Sequence, residues 1–156
     1  MDLPLENIHT INFKRKKVPL SPELRPLYKI SLIILILYLS SNKQTASLLK
    51  LQLFNWALKN PKRFNRLDDI KKGGDFPIIR FDPSLNRALN FAVAEQQLEF
   101  NEKNGKFILT NKGVKFAESI MEHNDVLVEE KDLLEGIKKG ISDAYVMKVF
   151  KERYKA

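Results

Sequence analysis

Apolar residues crowd one stretch of the chain, Tyr28 to Lys59. Its first half, Tyr28 to Leu39, is Ile, Leu and Tyr at every position except Lys29 and Ser31. A membrane span needs about 20 such residues, and a run of this length predicts a buried core helix instead. The second half, with Leu48, Leu49, Leu51, Leu53, Phe54, Trp56, Ala57 and Leu58, is also apolar nearly all round, the mark of a helix covered on more than one side. Between them Ser40, Ser41, Asn42 and Lys43 predict a short polar joint, with Thr45 or Ser47 as the N-cap of the second helix. Two helices of this kind, so closely joined, are expected to pack on each other.

The rest of the pattern places further elements. Pro4, Pro19, Pro22 and Pro26 exclude a regular helix over residues 1–26, which read as an extended arm. Asn60-Pro61 stops the second core helix. Residues 61–72 then predict a short amphipathic helix with Phe64, Leu67 and Ile70 inward, ended by Gly73-Gly74. Phe76 to Phe81 has strand composition, and Asp82-Pro83 is an N-cap followed by proline at the first helical position of a helix reaching Gln97. Leu98 and Phe100, a polar turn at Asn104-Gly105, and Phe107-Ile108-Leu109 predict a hairpin. Thr110 caps a helix to about His123 that buries Val114, Phe116, Ala117, Ile120 and Met121. The tail predicts two helices broken at Gly140-Ile141-Ser142, the second with Tyr145, Val149 and Phe150 on one side and Tyr154 a turn further. Such a pair is either a lid on the molecule's own core or a dock for a partner.

This order predicts a mostly α protein with a small β-hairpin, an α+β winged helix-turn-helix over residues 27–123. An N-terminal extended basic arm (1–26) precedes it and a C-terminal helical appendage (124–156) follows. At 156 residues, 44% hydrophobic and 29% charged, the chain has the length and composition of one globular domain with an appendage. The absence of cysteine removes disulfides and thiolate metal sites, and Met1 to Glu6 lacks the order of a signal peptide. A soluble cytoplasmic protein is the expectation.

The net charge of +8 is unevenly placed. Residues 1–80 hold 15 Lys/Arg against 6 Asp/Glu, a net of +9, while residues 81–156 hold 12 against 13, a net of −1. Such an excess suits contact with phosphates or an acidic protein face, or a merely solvated surface. It gathers at Lys14, Arg15, Lys16 and Lys17, and at Lys59, Lys62, Arg63, Arg66, Lys71 and Lys72, where Asp68 and Asp69 dilute it. Both clusters are candidate contacts to double-stranded DNA through phosphates.

Nothing in the sequence converges on catalysis. His9 and His123 are the only histidines and stand in no ligand spacing, and Gly73-Gly74 lacks the following Lys-Ser/Thr of a phosphate loop. No catalytic residue, metal, cofactor, membrane or small-molecule substrate is expected. A base-reading helix should carry Arg, Lys, Asn or Gln in its first turns. The helix after Asp82 offers Asn86, Arg87 and Asn90, one cation among them, together with Phe91, Ala94 and Glu95. That composition predicts a helix sandwiched between protein surfaces, with Phe91 and the terminal Tyr145, Val149, Phe150 and Tyr154 as partner-binding residues.

Several blocks carry a family resemblance: Arg25-Pro26-Leu27-Tyr28-Lys29-Ile30, Ala46-Ser47-Leu48-Leu49-Lys50-Leu51, Phe54-Asn55-Trp56-Ala57-Leu58, Asn86-Arg87-Ala88-Leu89 and Leu109-Thr110-Asn111-Lys112-Gly113. Over roughly residues 10–120 the chain resembles the middle component of prokaryotic ABC-three-component systems, the group that includes Lamassu-type antiphage defence. The resemblance implies a non-catalytic accessory subunit beside an SMC-like or Rad50-like ATPase and an effector nuclease, in a complex that senses invading DNA. It transfers no binding residue. A stand-alone winged-helix transcription regulator is the alternative that fold order and charge leave open.

Overall fold

A helix that is apolar on every side has to be wrapped, and the structure is built that way. The computed structural model describes residues 26–74 and 77–153, excluding the side chains of the last two. Helix α1 (Pro26–Ser40) buries Ile30 and every residue from Leu32 to Leu37 at 1% exposure or less. Each such side chain contributes on the order of 1.5–3 kcal/mol. A 3-10 turn (Asn42–Gln44), β1 (Thr45–Ser47), α2 (Leu48–Ala57) and α3 (Pro61–Lys71) follow, then α4 (Pro83–Ala94), β2 (Leu98–Asn101), β3 (Lys106–Leu109), α5 (Asn111–Glu122), α6 (Val128–Ile137) and α7 (Asp143–Arg153). The described residues thus form a mostly helical α+β fold with one small antiparallel sheet. Helices α4, α5 and α6 all pack on α1, and α2 lies against α1, α3 and α7.

The polar joint is more ordered than a solvated link. Ser40 and Ser41 are buried, and their hydroxyls donate to the carbonyls of Leu134 (2.9 Å) and Ile36 (2.9 Å). Lys50 donates through Nζ to the Ser40 carbonyl at 2.7 Å, so the end of α1 keeps its acceptors satisfied away from water. Ser47 is the N-cap of α2, accepting from the Lys50 amide.

Thr45–Ser47 also forms a strand that periodicity had not announced. It pairs antiparallel with β3, which pairs with β2, giving the order β1-β3-β2. The strand expected at Phe76–Phe81 does not form over its described residues 77–81. Pro77 and Ile79 are buried while Ile78 and Arg80 are exposed, the alternation of a strand without a paired neighbour. Pro77 has no amide proton to contribute to a ladder, and the place beside β3 is taken by β1.

The hairpin is anchored at its base by the first turn of α5. Thr110 accepts from the Gly113 amide and donates to the Gln96 carbonyl at 2.6 Å, and Lys112 Nζ donates to the Glu95 carbonyl at 2.8 Å. Gly113 lies so close to this turn that a Cβ there would collide with the Gln97 carbonyl oxygen.

The C-terminal helices close over the core. Leu134, Ile137, Ile141 and Val146 are buried in the same cluster as α1. Tyr28 donates to Glu130 at 2.8 Å, and Tyr145 donates through its hydroxyl to the Ile70 carbonyl at 2.6 Å. Asp143 accepts from the Ser47 amide (2.9 Å) and hydroxyl (2.6 Å) and lies 3.9 Å from Lys106 Nζ. Of the two roles open to the tail, these contacts are those of a lid on its own core.

Gly113→Ala forces backbone apart where no flexible side chain can yield, and should cost about 2 kcal/mol or more in urea unfolding. Burial pushes the Lys50 ammonium down from the usual 10.5 to about 8, against the opposing pull of Asp143 and with Lys106 adding to the shift. Between those values the unfolded chain holds a proton that the folded chain has released. Stability should therefore rise over pH 8–10.5, by up to about 3 kcal/mol relative to Lys50→Met across the same range.

Candidate partner and nucleic-acid interface

Helix α4 starts where three elements meet. Asp82, its N-cap, accepts through Oδ1 from the Ser84 amide (2.9 Å) and hydroxyl (2.7 Å). Its Oδ2 accepts from Lys29 Nζ at 3.1 Å and from Asn55 Nδ2 at 3.2 Å, and Asn55 Oδ1 accepts from the same ammonium at 2.7 Å. Lys29 reaches this point from the first turn of α1 and is only 2% exposed. Burial works against charge on Asp82, but the hydrogen bonds from Ser84 and Lys29 outweigh it and hold the carboxyl well below the usual carboxylate range.

Gln52 of α2 completes the junction. Its Oε1 accepts from the Asp82 amide at 2.9 Å, while its Nε2 donates to the Asp82 carbonyl and to Asn86 Oδ1, both at 3.2 Å. Leu85, Ala88, Leu89 and Ala92 face inward from α4. The expected sandwich is present on that side alone. Asn86, Arg87, Asn90 and Ala94 form an exposed outer row, and Phe91 is half-buried against the core. Ahead of the row, Ile78 is 70% and Phe81 44% exposed.

The basic residues of α3 and its entry are largely outward. Lys59, Lys62, Arg66, Lys71 and Lys72 are exposed; Arg63 is half-buried, its guanidinium 5.1 Å above the ring of Trp56. Trp56 itself is half-buried against the core, its ring covered in part by that cation–π contact. Arg66, Asp69, Lys72, Gly73 and Gly74 line a shallow open hollow at the end of α3, where the carboxylate tempers the two cations. The cluster Lys14, Arg15, Lys16 and Lys17 lies outside the described residues, as does Tyr154. Tyr145, Val149 and Phe150 are half-buried against the core, so much of their apolar surface is already used within the chain. Sequence reasoning passed over Lys29, Gln52 and Asn55. The one charged residue of an otherwise apolar helix is the available signal, since a buried charge demands a partner.

Among the described residues no group of three or more His, Cys, Asp or Glu could hold a metal ion, and no helix is long and apolar enough to cross a membrane. Compared with known proteins, the chain matches no family model, no curated protein and no solved structure.

Asp82→Ala strips the carboxylate from a buried ammonium and removes the α4 cap. It should cost about 3–5 kcal/mol in chemical denaturation. Because the folded-state carboxyl binds its proton less readily than in the unfolded chain, the contribution is complete at neutral pH. It should fade as pH falls below about 4, and the acid limb of the stability profile should be shallower in the variant.

Proposed function

We propose that the chain is a winged-helix accessory subunit that bridges an SMC-like or Rad50-like ATPase and an effector nuclease in a DNA-sensing antiphage complex, without catalysis of its own. The order α1, β1, α2, α4, β2, β3, with the sheet arranged β1-β3-β2, supports the winged-helix reading. In that arrangement α4 takes the place of the recognition helix, and α3 is an extra helix ahead of it. The blocks at 25–30 and 54–58, which resemble the middle component of ABC-three-component systems, supply the class of partner.

The observation that carries the protein-binding role is the outer row of α4. It is open to solvent, yet Arg87 is its only cation, and exposed Ile78 and Phe81 precede it. Aromatic residues and arginine with few other charges are the composition of a protein interface core. Non-specific phosphate contact falls to the exposed Lys59, Lys62, Arg66, Lys71 and Lys72 of α3 and its flanks.

One observation favours a second reading. Asn86, Arg87 and Asn90 are all exposed on α4, as a stand-alone DNA-binding regulator would require. The readings separate in two measurements. Expressed from its native operon, the chain should co-elute with the co-encoded ATPase through gel filtration, and a clean monomer would overturn the subunit role. In gel shifts at rising salt, binding to duplex should fade alike for all sequences, whereas a regulator retains a preferred site. Replacing Lys59, Lys62 and Arg66 by Glu should lower the salt slope by about 3 without moving the melting temperature by more than a degree or so.

A further inference from the structure

The orientation of Asn86 is set by a chain of bonds that begins at main-chain groups. An amide proton can only donate and a carbonyl oxygen can only accept, so the Asp82 N–H (2.9 Å) fixes Gln52 Oε1 and the Asp82 C=O (3.2 Å) fixes Gln52 Nε2. Gln52 Nε2 then also donates to Asn86, which must turn Oδ1 inward to receive it. What Asn86 shows to solvent is therefore its NH2 group, a donor. Arg87 beside it has only donors, and Arg80, just ahead of the cap, is exposed as well. Between Pro77 and Ala94 the sole acid is Asp82, committed to Ser84, Lys29 and Asn55.

We infer that the first turns of α4, with Ile78, Arg80 and Phe81 ahead of them, form a docking surface for a segment of a partner protein that carries carboxylates beside apolar side chains. The inference rests on the protein-binding reading of α4 and names the chemistry of its partner. Asn86 and the two arginines supply donors for carboxylates, and Ile78 and Phe81 supply the apolar contact. Duplex DNA fits the same surface less well. With Oδ1 turned inward to Gln52, Asn86 does not present the paired donor and acceptor edge that reads adenine, and two exposed apolar side chains gain nothing from phosphates. Gln52 acts here as a positioning residue.

Asn86→Asp tests the inference, because the carboxylate still accepts from Gln52 Nε2 while its outward atom changes from donor to anion. The probes are a synthetic amphipathic helix of leucine and glutamate and a random-sequence duplex, each titrated into the 15N-labelled full chain and followed by NMR. The peptide should shift the Asn86 side-chain amide and the signals of Ile78 and Arg87. Its dissociation constant should rise about tenfold or more in Asn86→Asp and in Arg87→Glu, with backbone spectra otherwise unchanged. Peptide binding that ignores both variants, or shifts at these groups from the duplex alone, would overturn the inference. In the operon co-purification, an ATPase retained equally by both variants sinks this docking surface and leaves the accessory-subunit role standing. An ATPase missing from the wild-type sample sinks that role instead.

Discussion

A single ammonium inside an apolar helix organises this molecule. Lys29 is almost fully enclosed, and taking a charge out of water costs several kcal/mol unless a counter-charge and hydrogen bonds replace the solvent. Asp82 and Asn55 do so, and neither is a neighbour in sequence. The pairing therefore constrains geometry: α4 has to begin beside α1 and α2. The loop ahead of α4, though unpaired over its described part, delivers Asp82 to one place, and the outer row of α4 inherits its position from that anchor. A hydrophobic contact could have held the same helices together without specifying so narrowly where the cap must sit.

The sequence was most legible where the forces are local. The inward face of α3, the Asp82-Pro83 start of α4, the polar turn of the hairpin, the Thr110 cap and the break at Gly140 depend on residues within a turn or two, and each lies where pattern places it. The step Leu109 to Gly113 has a physical basis in the close approach of Gly113 to Gln97. Legibility failed where partners are remote. Thr45–Ser47 is too short to show a period, and becomes a strand because β3 arrives beside it. Pro77 to Arg80 alternates like a strand, yet no described strand pairs with it. Lys50 reads as an interruption in a greasy helix, but its ammonium holds the end of α1 and stands near Asp143 of α7.

The candidate interface was half legible for the same reason. Composition identified α4 as short of cations and rich in apolar residues, which its buried side bears out. It could not separate the face turned toward α1 from the face left open, because that division depends on where Lys29, Gln52 and Asn55 hold the helix. Likewise the aromatic residues of α7 have the spacing of a docking stripe, and only tertiary contacts reveal that they lie against the core of their own chain.

The central position of α1 also bears on biosynthesis. This oiliest segment leaves the ribosome well before the helices that shield it: the bond from Tyr28 to Glu130 spans 102 residues. At about 5–20 residues per second, an interval of roughly 5–20 s separates the emergence of those two ends. For that interval a nascent chain displays a sticky, uncovered segment, prone to aggregate and in need of chaperones. Slow translation through the middle of the message would lengthen that exposure, so yield in the cell should depend on codon choice as well as on the strength of the finished fold.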